Sequence, residues 1–209
     1  MKVSAVRSFA VATSALLAAS ALATAVLAFS NPLSPEDVRE AYFLATGDAT
    51  KREDFFAKYT HVLPVPQTGP NIQSIEVETP FACVVNDIVL TKINYHEPDA
   101  QEDYFGKPGQ FRIRVQIYFT PTWPTAAPSQ LGRFWDDFHI HLKQGNEIAS
   151  RSEIGTPIYS DQTLSGYTGA TVEADYNVNR IKTGPVTVQV TGPEGVVRAE
   201  TSFDLDGLR

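Results

Sequence analysis

The sequence is poor in cysteine, and Cys83 is the only one among 209 residues. A single cysteine excludes an internal disulfide and any zinc site built from paired cysteines. Cys83 lies in the apolar run TPFACVVNDIVL, far from the N-terminal region where a lipid-modified cysteine would stand. In such a run a cysteine behaves as a small buried hydrophobe. The sequence therefore predicts a fold that its core alone holds together, with Cys83 inside that core.

Several catalytic motifs are also missing. The chain has no G-x-S-x-G nucleophile elbow, no glycine-rich phosphate loop and no H-E-x-x-H zinc motif. Ser165, in TLSGYTG, has glycine neighbours but no base or orienting acid beside it. No repeat of fixed period is visible, which disfavours solenoids and propellers. The common hydrolase, nucleotide-binding and metalloprotease classes are therefore not indicated.

Charge is missing from residues 8–30, an alanine-rich run that follows Lys2 and Arg7. This pattern is typical of an export signal. Two sets of small residues suit signal-peptidase cleavage, and the second predicts a cut after Ala28, so that residues 1–28 form the signal peptide. An uncleaved membrane anchor is the alternative, because about 20 uncharged residues can span a bilayer. In either case we expect the body of the protein outside the cytoplasm, secreted or periplasmic.

Basic residues are scarce in that body. Without Lys2 and Arg7, 15 of the 17 basic residues remain against 24 acidic ones, which gives a net charge of −9. Such a charge keeps an exported protein soluble and disfavours nucleic acid or an anionic membrane surface as a partner. A body of roughly 180 residues can bury one full hydrophobic core. We therefore expect one main domain, with a glycan, a peptide or an envelope protein as candidate partners.

Two short helices are predicted within residues 29–70. The stretch SPEDVREAYFLATG has Ser34 as N-cap, a proline at the first helical position and Asp37 three residues after the cap. The stretch TKREDFFAKY has Thr50 and Glu53 at the spacing of a capping box. Because neither helix is long enough to be stable alone in water, we expect a helical hairpin on the main domain, followed by a proline-rich linker.

From residue 71 onward, apolar and polar residues alternate. QFRIRVQIYFT is the clearest case, and SIEVETP, ATVEADYNVNRI, GPVTVQVTG and VVRAETSFDL follow the same pattern. Strands with one apolar and one polar face belong to antiparallel sheets. Seven or eight of them, with the acidic run NYHEPDAQEDY as a solvated loop, predict a mainly β fold. We expect an Ig-like or jelly-roll-like β-sandwich over residues 71–209, and a β-barrel is the alternative.

The segment RFWDDFHIHLK combines two histidines with aspartates. If the whole segment is a strand, Asp137, His139 and His141 share the face that points away from the core. Side chains two residues apart on a strand are about 7 Å apart, so both imidazoles can bind one zinc ion with Asp137 as third ligand. The predicted alternative function is then a zinc-dependent enzyme that activates water. A solvated strand face with cross-strand charge pairs explains the same residues without a cofactor.

Aromatic and basic side chains are concentrated around these histidines. Alternation places Arg112, Arg114, Tyr118 and Trp135 outward, and Trp123 lies nearby in the proline-rich loop PTWPTAAPSQ. Pairing of the two neighbouring segments would bring these side chains onto one surface. The sequence therefore predicts an exported, non-catalytic binding or structural module whose ligand-binding surface is this aromatic and basic strip.

Overall fold

The computed structural model describes most of the chain after the predicted leader. The signal peptide predicted at residues 1–28 and most of the loop after Trp123 lie outside the described residues. Among the described residues, no helix has the length and the apolar character needed to cross a membrane. The described ranges are 29–91, 95–107, 109–123, 132–160 and 163–209.

Within these ranges the chain forms four helices and nine strands, and the fold is mainly β as predicted. In chain order the elements are α1 (Pro35–Thr46), α2 (Ala49–Ala57), β1 (Thr60–Val62), β2 (Asn71–Glu78), α3 (Pro80–Thr91), α4 (Glu97–Gly106), β3 (Gln110–Tyr118), β4 (His139–Gln144), β5 (Asn146–Ile148), β6 (Ser152–Ser160), β7 (Thr163–Asn177), β8 (Pro185–Thr191) and β9 (Val197–Asp204).

The strands form two antiparallel sheets. The five-stranded sheet has the order β1, β2, β3, β7, β6, and the four-stranded sheet has the order β5, β4, β8, β9. Every pair of neighbouring strands is antiparallel, which confirms that prediction. The described strands do not close into a barrel, so the alternative architecture is wrong.

The inner faces of both sheets contribute to one hydrophobic core. In β3, every second residue from Phe111 to Ile117 is fully buried, because the alternation turns these side chains to one side. The inward residues of β4 and β8 belong to the same core. Between the sheets, the Tyr176 hydroxyl of β7 donates to the Ile140 carbonyl of β4 at 2.9 Å. The two sheets are therefore joined by apolar packing and by at least one buried hydrogen bond.

The two N-terminal helices lie where the sequence predicts them. Ser34 caps α1, since its hydroxyl accepts from the Asp37 amide at 3.1 Å and the Asp37 carboxylate accepts from the Ser34 amide at 3.0 Å. The predicted cap of α2 at Thr50 is wrong. The helix begins earlier, at Ala49, and the Asp48 carboxylate caps it by accepting from the Thr50 amide at 2.8 Å.

Two further helices interrupt the region that the sequence pattern predicts as purely β. α3 is the apolar run around Cys83, and α4 is the acidic run expected to be a loop. α3 packs on the outer side of β2 and β3, and α1 packs on both α3 and α4. Residues of these three helices form a second hydrophobic cluster that includes Val38, Phe81, Ile88 and Tyr104. One outer face of the five-stranded sheet is therefore partly covered by helices.

Candidate functional site

The predicted aromatic and basic strip is not assembled on one surface. Arg112 and Arg114 lie on β3 of the five-stranded sheet, whereas His139 and His141 lie on β4 of the four-stranded sheet. β3 pairs with β2 and β7. The expectation that β3 pairs with the histidine strand is therefore wrong, because the chain passes from one sheet to the other between these two segments.

Trp135 points into the protein, contrary to the prediction. Phe134–Asp137 form a single 3-10 turn instead of the first half of a strand, so alternation does not apply to them. Trp135 is 8% exposed and packs on Gly155 of β6. A Cβ atom at that glycine would overlap the indole ring, so only glycine permits this contact. Trp135 is a core residue and does not present a surface to a ligand.

Trp123 also packs inward. Its ring centroid lies 5.5 Å from those of Phe119 and Phe134 and 5.9 Å from that of Phe138. These edge-to-face contacts are typical of aromatic packing in a core. Tyr118 is half-buried at the end of β3. Trp123 and Trp135 therefore pack against the core, whereas Tyr118 lies on the outward face of β3, so the predicted aromatic platform is not assembled.

The two histidines of β4 point away from the core, as predicted, and each contacts a different glutamate. His139 Nδ1 lies 3.1 Å from Glu153 Oε1, and His141 Nδ1 lies 2.8 Å from Glu147 Oε1. Asp137 is on the 3-10 turn that precedes the strand, not in the row of histidines. Among the described residues, no three His, Cys, Asp or Glu side chains are grouped so that they could hold a metal ion. The geometry therefore gives no support to a zinc site at these residues.

Glu153 connects the two sheets. It belongs to β6 of the five-stranded sheet, but its Oε2 accepts from the Ile140 amide of β4 at 3.3 Å. The same carboxylate contacts the His139 ring. This carboxylate therefore links β6 of one sheet to β4 of the other.

One feature suited to a ligand is a cavity of about 330 Å³ between α3, α4 and the start of β3, hereafter the cleft. Its volume is at the lower end of the range of small-molecule sites, roughly 300–1,000 Å³. Residues one helical turn apart on α3 form one wall, and α4 forms the other. The apolar part of the lining includes Val84, Ile88, Leu90 and Ala100.

Charged and hydroxyl groups stand among these apolar residues. The Tyr95 hydroxyl donates to Asp103 Oδ2 at 2.6 Å, and Asp87 Oδ1 accepts from Arg112 Nη1 at 3.0 Å. Burial, and then the hydrogen bond to Asp103, raise the pKa of Tyr95 well above its usual value, so this hydroxyl stays a donor. Lys107 adds a positive charge at the end of α4. The cleft therefore offers both signs of charge beside an apolar wall.

Beneath α3, two rows of charged side chains cross the outer face of the five-stranded sheet. Arg114 Nη1 lies 2.8 Å from a Glu78 oxygen, and Arg112 Nε lies 3.0 Å from an Asp175 oxygen. Both arginine side chains are only 12% exposed. They are bound to neighbouring carboxylates and are not available to an external ligand. The strand register aligns Glu78, Arg112 and Asp175 in the first row. It aligns Glu76, Arg114 and Glu173 in the second row.

Glu78 is the fully buried member of this charged network. Its Oε1 accepts from Asn86 Nδ2 of α3 at 2.6 Å, while its Oε2 has no hydrogen-bond partner among the described residues. Burial raises the pKa of Glu78 to about 8, and the nearby Arg114 offsets only part of that rise. Because the two rows hold four carboxyl groups and two guanidinium groups, a proton on Glu78 also lowers the excess of negative charge.

Cys83 is buried, as the sequence predicts. Its Sγ lies 3.7 Å from the Glu78 carbonyl oxygen, at the base of the cleft. Burial raises the pKa of the thiol well above its usual value. Because the thiolate is the reactive form, Cys83 is a poor nucleophile in the folded protein.

The cleft is absent from the sequence-based expectations because both helices that form it are absent from them. One signal for α4 is present in the sequence, since Pro98 and Asp99 follow His96 as in a helix N-terminus. In the structure the Asp99 carboxylate accepts from the His96 amide at 2.7 Å. For α3, the spacing of Phe81, Val84 and Ile88 fits a helical period within an apolar run.

No protein-family model matches the chain, and no curated protein matches it. Within the part of the chain that the structure describes, the cleft combines an apolar wall with charged groups of both signs.

Proposed function

We propose that this protein is an exported, non-catalytic β-sandwich that binds a small molecule in the cleft between α3 and α4. The supporting observation is the cavity of about 330 Å³ with apolar and charged walls. Concave sites that combine apolar walls with a few polar groups are typical of small-molecule binding. The core shared by the two sheets supports the description as a sandwich of the Ig-like or jelly-roll-like kind.

A binding role suits the state of the polar groups in the cleft. Nucleophilic catalysis needs a nucleophile next to a base, and that base is usually oriented by a third group. In the cleft, Asp103 is bound to the Tyr95 hydroxyl and Asp87 is bound to Arg112. The Cys83 thiol, with its raised pKa, stays protonated. These groups are arranged to recognise charge rather than to activate a nucleophile.

The outward strip is a weaker candidate for the ligand surface. A glycan or peptide surface there requires exposed aromatic rings and available cations. Trp135 is buried, and Arg112 and Arg114 are paired with carboxylates under α3. We therefore propose the cleft, rather than the strip, as the ligand-binding surface.

Export is part of the proposal and is supported by Lys2, Arg7 and the uncharged run over residues 8–30. Mass spectrometry of protein recovered from the periplasm or the medium of an expressing cell should find a chain that begins at Phe29. Recovery of the full-length chain from the cytoplasm alone contradicts export.

The cleft is tested by an NMR screen of the purified protein against a library of small amphipathic compounds. We expect a subset to shift amide signals of α3 and α4 while signals of β8 and β9 stay unchanged. Leu90→Trp places a bulky ring at the exposed edge of the cleft, since Leu90 is 62% exposed and lines it. The matched control is Val62→Trp on β1, where Val62 is 75% exposed.

We expect Leu90→Trp to abolish the shifts and Val62→Trp to leave them as in the unchanged protein. If no compound shifts the α3 and α4 signals, or if Leu90→Trp binds as the unchanged protein does, the cleft is not a ligand site.

A further inference from the structure

We propose that the cleft binds a small zwitterion, an apolar amino acid or a close relative, whose ammonium group contacts Asp103 and whose carboxylate contacts Lys107. The proposal rests on the function proposed above, because it concerns the same cleft. It adds the chemical class of the ligand and assigns one role to each of two residues.

The first support is that one acid and one base line the same cleft. Asp103 and Lys107 are four residues apart, and both line the cleft. Asp103 lies within α4, and Lys107 directly follows the last residue of that helix. Asp103 is bound to the Tyr95 hydroxyl rather than to Lys107. An ammonium group and a carboxylate on one carbon atom supply one opposite charge to each of these two residues.

The surroundings of Asp103 favour an ammonium group. The Tyr95 hydroxyl uses one acceptor position of the carboxylate, and a carboxylate has about four such positions. The lining also contains the rings of Tyr95 and Tyr104, and aromatic faces attract ammonium groups. The second acid, Asp87, adds negative charge although its Oδ1 is bound to Arg112. A cation at this end of the cleft is therefore stabilised by charge and by aromatic rings.

The apolar wall favours an aliphatic side chain on the ligand. Val84, Ile88, Leu90 and Ala100 present hydrocarbon to the cavity. A sugar hydroxyl placed against such a wall loses its hydrogen bonds to water without compensation, which costs free energy. A branched hydrocarbon group there is removed from water, which makes the free energy of binding more favourable. The lining thus separates into two charged contacts and one apolar surface, which matches the parts of an apolar amino acid.

The test compares three probes that share one hydrocarbon group. L-leucine carries both charges, 3-methylbutylamine lacks the carboxylate and 4-methylpentanoate lacks the ammonium. Each is titrated into the purified protein at pH 7, and the shifts of α3 and α4 amide signals give the dissociation constant. Because a hydrogen bond between charged groups is strong, we expect leucine to bind about tenfold more tightly than either analogue.

Two variants assign the contacts separately. Asp103→Asn should weaken leucine and 3-methylbutylamine about tenfold and leave 4-methylpentanoate within about twofold. Lys107→Met should weaken leucine and 4-methylpentanoate and leave the amine unchanged. Glu102→Gln, which removes a neighbouring exposed charge of α4 outside the cleft lining, is the matched control and should change none of the three affinities.

The zwitterion assignment is overturned if leucine binds no better than its two analogues, or if Asp103→Asn weakens all three probes equally. A different result is that leucine shows no binding while other compounds bind in the cleft and Leu90→Trp abolishes their binding. That result contradicts the zwitterion assignment and still supports the proposed binding function. If no compound of any class binds in the cleft, both proposals fall together.

Discussion

The outer faces of the two sheets come from the same kind of sequence and have different environments. On the five-stranded sheet, Arg112 and Arg114 are packed under α3 and bound to carboxylates of β2 and β7. On the four-stranded sheet, Lys143 donates to the side chain of Gln189 at 3.2 Å, and Gln189 donates to the exposed Glu200 at 2.7 Å. The first face is a covered charge network and the second is a solvated polar surface.

The difference shows what alternation in a sequence determines and what it leaves open. A period of two identifies the side of a strand that faces the core. It does not tell whether the other side meets water or another layer of the protein. The charges of the five-stranded sheet are therefore expected to matter for stability, and those of the four-stranded sheet are expected to matter little.

The largest effect is expected from removing one buried cation. Arg114→Met leaves the carboxyl groups of Glu78, Glu76 and Glu173 without their shared counter-charge, and should lower the free energy of unfolding by roughly 3 kcal/mol. Lys143→Met makes the same chemical change on the other sheet and should cost less than about 0.5 kcal/mol. Urea denaturation measures both. Equal losses in the two variants would show that the faces do not differ.

The next effect is a pH dependence carried by Glu78. Its pKa in the folded protein is raised from an ordinary 4.5 to about 8, so between these values the folded state keeps a proton that the unfolded state has lost. The free energy of unfolding should therefore fall as pH rises from about 4.5 to about 8. The measurement is urea denaturation at a series of pH values.

Glu78→Gln should flatten that dependence, since an amide does not titrate. A slope from Glu76 remains in this variant, because burial raises the pKa of Glu76 in the same direction. Glu200→Gln, on the four-stranded sheet, is the control and should leave the dependence unchanged. A Glu78→Gln protein with the full original slope would refute the assignment.

A smaller effect is expected from the carboxylate that links the sheets. Glu153→Ala removes the contacts with His139 and with the Ile140 amide and should cost about 1 kcal/mol in thermal or urea unfolding. Glu147→Ala removes the other histidine contact, which stays within the four-stranded sheet, and should cost less than Glu153→Ala because Glu147 is exposed. The test is whether Glu153→Ala lowers the free energy of unfolding more than Glu147→Ala does. A larger loss in Glu147→Ala contradicts the role of Glu153 as a link between the sheets.

The smallest expected effect is that of zinc. Because His139 and His141 contact separate glutamates and Asp137 is off the strand, one equivalent of zinc should leave the melting temperature unchanged. Elemental analysis of the purified protein should likewise find far less than one equivalent. Stoichiometric zinc that is lost in His139→Ala would restore the metal-site hypothesis.

Much of the β structure could be predicted from the sequence because alternation is strong where one side of a strand is core. This holds for β3 and β8, whose apolar positions are buried as expected. It also holds for the outward direction of His139 and His141, because β4 begins at His139. The same reasoning fails four residues earlier at Trp135, where a 3-10 turn breaks the period before the strand begins.

The cleft could not be predicted because its helices are unusual in composition. α3 is buried along most of its length and contains Val84 and Val85, so it lacks the polar face that identifies a helix in a sequence. α4 is acidic and short, and such composition is more common in loops. Packing against α1 brings the two helices together. This contact joins residues that are distant in the sequence, so no local sequence pattern predicts it.

The position of Cys83 has a practical consequence. The thiol is 4% exposed and lines the base of the cleft, so a thiol reagent meets it only when α3 lifts from the sheet. The rate at which the unmodified protein is alkylated therefore reports local opening of this helix, without any engineered label. A molecule seated above the sulfur should slow that reaction in proportion to its occupancy.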